Sequence, residues 1–202
     1  LNRLGTDYDI ILHLAAIIGV AHVMEYPYEV LYNNISMLGN VIDFARRQEK
    51  LSRFLFASTS EVYAGTLKHF ELTMPTPEAT PLAITNLSYP RTSYMLSKIY
   101  GEALCQQSGL PFTVFRPHNV YGPRMGMAHV IPEQLRNAHD AEEGDSIDVF
   151  SVNHTRCFCY IDDAIEMLWR MVISPDCAGK TLNLGTQNPE VTMKEVAETC
   201  FS

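Results

Sequence analysis

The sequence predicts an α/β fold, a parallel sheet covered by helices. Three observations predict it. Short apolar runs alternate with helical periodicities in the order strand, helix, strand, helix, strand. Gly109 and Pro117 sit at the joints, where a helix cap and a strand end belong. The 202 residues, 47% hydrophobic and 19% charged, supply one good core in one or two domains.

Each element follows from its residues. Asp9 to Ala16 reads as a buried strand, because six of its eight residues are apolar in one short run. Leu38, Val41, Ile42 and Ala45 fall on one face of a helix. Arg53 to Ser58 is the second strand. Leu96, Ile99, Tyr100 and Ala103 repeat the helical spacing, and Phe112 to Arg116 is the third strand. A helix is expected over Pro132–Ala141 and a short strand over Asp148–Phe150. From Asp162-Asp163 a helix presents Ile165, Leu168, Trp169 and Val172 as its apolar face. Thr181 to Leu184 reads as a strand, and Thr192-Met193-Lys194-Glu195 is a capping box. The stretch from Gly65 to Pro90 is irregular and rich in Pro and Thr, a length usually reserved for functional loops or lids.

Composition narrows the function. The net charge of −8 and the absence of a basic run argue against nucleic-acid binding. Any anionic ligand must be held by a few local arginines or helix N-termini. The most apolar run, Ile10 to Met24, is broken by His13 and His22, short of the ~18 residues a membrane span requires. The five cysteines fit no disulfide framework and no zinc spacing, so reduced thiols in a cytoplasmic protein are expected and no metal is. The chain opens on Leu1 and closes inside a helical pattern, which reads as a fragment of a longer protein.

Two clusters carry chemistry. Tyr94 and Lys98 lie four apart on a helix and so share a face. An ammonium beside a phenol favours the phenolate, which predicts a lowered Tyr94 pKa and a usable base near neutrality. Ser58-Thr59-Ser60-Glu61 follows the second strand, at the end of a parallel sheet where such folds bind ligands.

Five motifs then occur in order: Leu14-Ala15-Ala16, Ser58 to Tyr63, Tyr94-x-x-x-Lys98, Arg116-Pro117-His118-Asn119-Val120-Tyr121-Gly122-Pro123-Arg124, and Thr155-Arg156-Cys157-Phe158. Together they resemble the extended short-chain dehydrogenase/reductase family, the NAD-dependent sugar-nucleotide epimerases and dehydratases. The resemblance implies a Rossmann-type doubly wound sheet lacking its N-terminal part, with a smaller C-terminal substrate lobe. Residues 1–118 would be the remainder of the NAD-binding domain and 119–202 a partial substrate lobe. It implies Tyr94 as base, Lys98 on the nicotinamide ribose and Thr59 at the reacting oxygen. Leu14, Ala15, Ala16, Asn34, Pro117 and His118 would border NAD. Asn119, Arg124 and Arg156 would meet a nucleoside-diphosphate sugar. It also implies a homodimer, paired through helices that include the one bearing Tyr94.

Glu61, with Ser60, separates subfamilies. Thr59-Ser60-Glu61 is similar to UDP-glucuronate decarboxylases and GDP-mannose dehydratases. Pro90-Arg91-x-x-Tyr94 and Arg156-Cys157-Phe158 look like the bacterial decarboxylases. Two features depart from the family: Ala64 interrupts the usual Val-Tyr-Gly, and no glycine-rich phosphate turn occurs in the chain, so it is expected upstream. The reaction implied is decarboxylation or 4,6-dehydration, with 4-epimerisation as alternative. A non-catalytic binding protein on the same fold is the alternative of another class.

Overall fold

The computed structural model describes residues 3–142, 144–145 and 147–202. Contacts divide the chain into two compact units. One is Leu1–Pro117 with Leu168–Leu184; the other is His118–Met167 with Gly185–Ser202.

The first unit is built on four parallel strands, β1 (Ile10–His13), β2 (Arg53–Ala57), β3 (Phe112–Pro117) and β7 (Lys180–Leu184), in the order β1-β2-β3-β7. Register runs Ile10 to Arg53, Phe54 to Phe112 and Thr113 to Lys180. Helix α1 (Val20–Glu25) and helix α2 (Pro27–Ala45) separate β1 from β2, and α4 (Thr92–Gln107) separates β2 from β3. β2 is central and its first four residues are buried, which is why it reads as an unbroken apolar run after Arg53. Leu38, Ile42 and Ala45 of α2, Phe54 and Phe56 of β2, Val114 of β3 and Cys105 of α4 make one core. Burial of each large apolar side chain here stabilises the fold by roughly 1.5–3 kcal/mol. α4 ends at Ser108, and Gly109 follows at φ +76°, the left-handed cap expected of it.

The N-terminal end of β2 carries a buried cation. Arg53 Nη1 donates to Thr113 Oγ1 and to the Met171 carbonyl at 2.9 Å, and Nη2 donates to the Ser174 carbonyl at 2.9 Å. These carbonyls close α6 (Ile161–Ile173), where a positive charge complements the helix dipole.

In the second unit β4 (Val120–Tyr121) pairs parallel with β6 (Cys159–Tyr160). β5 (Thr155–Cys157) pairs antiparallel with β8 (Glu190–Thr192). α5 (Val130–Asp140) packs against α7 (Met193–Phe201). The capping box forms in full: Thr192 Oγ1 accepts from the Glu195 N–H, and the Glu195 carboxylate accepts from the Thr192 N–H at 2.7 Å.

Four expectations need correction. β1 stops at His13, opposite Phe56, while β2 pairs on with β3 through Ala57; Leu14–Ala16 are loop. Residues 147–149 form no strand and Phe150 is an exposed turn residue; the pairing in this unit is taken by Thr155–Cys157. On α6, Ala164, Met171 and Val172 are buried, while Ile165 and Trp169 are more than half exposed. The helix is apolar over a wide arc, and periodicity does not say which side packs. Finally, Gly65–His69 lie within a helix, α3 (Ala64–His69). Among the described residues, no helix is long and apolar enough to cross a membrane.

His13 supplies a pH test of this core. It is buried, stacked on Phe56 with ring centroids 6.0 Å apart. Burial, then the neighbouring Lys98 charge, pushes its pKa down to about 4 from 6.5. The unfolded chain takes the proton near 6.5 and the folded chain only near 4, so acid favours unfolding. Stability is whole above about pH 6.5 and falls towards pH 4 by up to about 3 kcal/mol from this residue. Urea unfolding at a series of pH values checks this, with His13→Phe expected to flatten that acid limb.

Candidate active site

β2 delivers its C-terminal end to a single 3-10 turn, Ser60–Tyr63. Thr59 is extended at φ −162° and caps that turn, its Oγ1 accepting from the Glu61 N–H at 3.2 Å. α4 runs alongside. Its Tyr94 phenol lies beside the Thr59 side chain, close enough for that hydroxyl to act on its titration. One turn on, Lys98 Nζ donates to the Ala57 carbonyl at 2.7 Å and sits 5.7 Å from the Tyr94 ring centroid. The Glu61 carboxylate reaches Arg91, just before α4, at 3.8 Å. Both partners are nearly half exposed, so this pair contributes roughly 0–1 kcal/mol. Thr59, Glu61, Tyr94 and Lys98 are therefore brought together beside the C-terminal end of β2, with Ser60 half-buried between.

The electrostatics differ from the sequence expectation. Burial, then the Glu61 charge, pushes the Tyr94 phenol up to about 12, against the opposing hydrogen bond from Thr59. Burial pushes the Lys98 ammonium down to about 8. Lys98 does not lower the phenol as spacing alone suggests. Its Nζ lies over the rings of Phe56 and Tyr94 and donates to a backbone carbonyl.

Asn34 is buried on α2. Its Oδ1 accepts from the Ile17 N–H at 2.7 Å and its Nδ2 donates to the Ile17 carbonyl at 3.1 Å. It fastens the loop after β1, in which Leu14 and Ala15 are exposed and Ala16 is half-buried. Pro117 ends β3 opposite Leu184. The other candidates belong to the second unit. His118 is half-buried. Asn119, at φ +43°, donates through Nδ2 to the Cys157 carbonyl at 3.0 Å. Arg124 is exposed at φ +67°, and Arg156 is exposed on β5 opposite Val191.

Sequence reasoning missed Glu102 and gave Arg116 no role. Both are buried and form a bidentate pair, Arg116 Nε to Oε1 at 2.9 Å and Nη2 to Oε2 at 2.6 Å. Glu102 follows Lys98 by the same four residues that separate Lys98 from Tyr94, which is the signal that could have found it.

The segment after α3 is fastened along its length. Thr66 Oγ1 donates to the Pro81 carbonyl at 2.6 Å and accepts from the Ala83 N–H. Arg116 Nη1 donates to the Glu78 carbonyl, and Asn183 Nδ2 to the Thr76 carbonyl. This is a bound strap over residues 76–83.

Residues 1–185 match the model of the NAD dependent epimerase/dehydratase family. The chain belongs to that family. It is 34% identical over 205 residues to UDP-N-acetyl-alpha-D-glucosaminuronate decarboxylase of Bacillus cytotoxicus, covering 98% of this chain and 60% of that protein. It is 30% identical over 200 residues to an uncharacterised UDP-glucose epimerase of Bacillus subtilis, covering 94% and 57%. The solved PbgP3 protein from Burkholderia pseudomallei superposes with a TM-score of 0.74 at 27% identity, over 95% of this chain and 59% of that one. The chain thus spans under two thirds of each of these relatives. The parallel sheet with its helical crossovers is the Rossmann-type fold of this family.

NAD fits the residues present. A buried ammonium has three donors, and among the described residues Lys98 pairs with no carboxylate. Its hydrogen-bond acceptor among the described residues is one carbonyl, a setting that suits the vicinal hydroxyls of a ribose.

The strap gives a sharp contrast between two glycines. A Cβ at Gly65 would lie 1.7 Å from the Ala83 carbonyl oxygen, whereas a Cβ at Gly39 of α2 meets nothing within 4 Å. Gly65→Ala is expected to cost about 1–3 kcal/mol or to displace the strap. Gly39→Ala is expected to stabilise by about 0.5–1 kcal/mol, since alanine favours a helix interior. Paired thermal melts check both signs.

Proposed function

We propose that this chain carries the reaction centre of an NAD-dependent enzyme that oxidises a nucleoside-diphosphate sugar at C4, with UDP-glucuronate decarboxylation or 4,6-dehydration as the overall reaction. The observation that carries the reading is the joining of Thr59, Glu61, Tyr94 and Lys98 beside one strand end, in a member of this family. NAD+, when bound, would accept the hydride that leaves C4 and give it back to the sugar after CO2 or water is lost, so the overall reaction is redox-neutral.

The chain's own residues account for the rest. In its deprotonated form the Tyr94 Oη takes the proton of the C4 hydroxyl, and the Thr59 hydroxyl hydrogen-bonds the same oxygen. Lys98 holds a ribose and keeps positive charge beside the phenol ring. In decarboxylation the C5–C6 bond breaks, CO2 departs, and the bonding pair moves to an enolate on the C4 oxygen. Thr59 and Tyr94 are placed to hydrogen-bond that developing charge. In dehydration Glu61 takes the C5 proton and passes it to the C6 hydroxyl, which leaves as water as the C5=C6 bond forms. Arg156 and Arg124 bind the diphosphate as guanidinium donors, and Asn119 meets the sugar.

The decarboxylase name of the Bacillus cytotoxicus relative favours loss of CO2. The epimerase name of the Bacillus subtilis relative favours a second reading, 4-epimerisation, in which Glu61 stays a bystander.

Incubation of the protein with NAD+ and UDP-glucuronate, UDP-glucose or GDP-mannose separates these outcomes. Labelled CO2, a 4-keto sugar or the C4 epimer each identifies its reaction. Formation of none, with nucleotide-sugar binding retained, identifies a binding protein and overturns the proposal. Tyr94→Phe removes the proton acceptor and is expected to lower kcat by about 100-fold or more.

The pH profile carries a second test. Glu61 raises the Tyr94 pKa, so its removal eases deprotonation. Glu61→Gln is expected to shift the alkaline rise of hydride transfer, and the tyrosinate absorbance of Tyr94, to lower pH. A shift to higher pH, or none, shows that the carboxylate does not act on the phenol.

A further inference from the structure

We infer that the buried Glu102–Arg116 pair is a positioning device that sets the angle at which Thr59 and Glu61 are presented. The inference rests on the proposed reaction centre and adds residues to it.

The geometry is a hook at each end of one short segment. At its start, Ser58 Oγ donates to Glu102 Oε1 at 2.5 Å. At its finish, Arg116 Nη1 donates to the Tyr63 hydroxyl at 2.5 Å and the guanidinium lies 4.8 Å from that ring's centroid. Thr59, Ser60 and Glu61 lie between the two hooks. Both hooks end on the same ion pair, whose side chains are 4% exposed. The segment is therefore fixed at two points to one rigid object. A third tie, Lys98 to the Ala57 carbonyl, holds the residue just upstream.

The pair also reaches beyond the segment. Arg116 Nη1 donates to the Glu78 carbonyl at 3.0 Å, and the Glu78 carboxylate accepts from the Asn183 N–H at 3.0 Å. The Tyr63 hydroxyl donates onward to Asn183 Oδ1 at 2.9 Å. So the 3-10 turn, the strap and β7 share one hydrogen-bonded centre.

A generic core role accounts less well for this. Burying two charges costs free energy that attraction only partly offsets, and an apolar pair of similar volume is often as stable or more so. What an apolar pair lacks is direction. A bidentate guanidinium with a further donor aimed at Tyr63 fixes orientation as well as distance. Orientation is what a hydroxyl and a carboxylate acting on one sugar require, since a misplacement of ~1 Å can cost about 100-fold in rate.

Glu102→Gln leaves a buried guanidinium unpaired and risks unfolding, so the hooks themselves are the better probes. Ser58→Ala and Tyr63→Phe each remove one hook and keep the ion pair. Hydrogen exchange followed by peptide mass spectrometry is expected to show residues 58–63 exchanging about tenfold faster in the double variant, with α4 peptides unchanged. Turnover is expected to fall by about 30-fold in kcat with KM held within about twofold. Because the effect runs through Thr59, Ser58→Ala should cost little further in a Thr59→Ala background. Unchanged exchange over 58–63 overturns the inference. So does faster exchange with kcat intact, or a loss that is fully additive with Thr59→Ala. If the unaltered protein turns over none of the sugars, the proposed function fails instead, and the exchange measurement alone decides the positioning.

Discussion

The clasp between α4 and the end of β2 is the constraint on which the site depends. Tyr94, Lys98 and Glu102 stand one turn apart on a single helix face. Lys98 and Glu102 hydrogen-bond Ala57 and Ser58, and Tyr94 stands beside Thr59. Three consecutive residues of the strand end thereby meet three successive turns of one helix. A strand end is otherwise the part of a sheet with fewest partners, since its ladder is running out. Here side chains add to the last ladder bond, from the Ser58 N–H to the Phe115 carbonyl at 2.8 Å.

That clasp places charge where burial opposes it. Lys98 gives up proton affinity in the interior, and His13 stays neutral beside it. Arg53, at the opposite end of β2, finds only carbonyls and a threonine hydroxyl among its hydrogen-bond acceptors. The difference between the two ends of one strand is instructive. At the Arg53 end the charge closes a helix and ties it to the sheet. At the Ala57 end the charges sit among groups with protons to exchange. The first arrangement ties a helix to the sheet and the second lines the proposed reaction centre, on the same scaffold.

Most of the sheet was legible because its signal is local. β2 and β3 are apolar runs bounded by turn residues, and β7 and the capping box of α7 follow from four-residue patterns. Elements failed where the deciding information lies outside the segment. β1 ends at His13 although β2 pairs on with β3 for one more residue, and the run at 148–150 is unpaired. On α6 the apolar arc is wider than the face that packs. The site divides in the same way. Thr59, Tyr94 and Lys98 are recognisable by type and spacing. The Arg116–Glu102 pair joins β3 to α4 across 14 residues, and only folding shows that both are buried together. The strap's fastenings, such as Asn183 to Thr76, span 107 residues and leave no local trace.

Glu61 is where geometry changes the chemical picture most. Spacing suggests a tyrosine primed by its lysine, yet the phenol is held up near 12, with burial the larger cause and Glu61 the next. The same carboxylate is the candidate base for the sugar, so one group both hinders and serves the reaction. Arg91 stands 3.8 Å from that carboxylate with both side chains nearly half exposed, so the pair is weak and solvent-screened. The strong pair at Glu102 fixes the segment, and the weak pair at Glu61 leaves its working end adjustable.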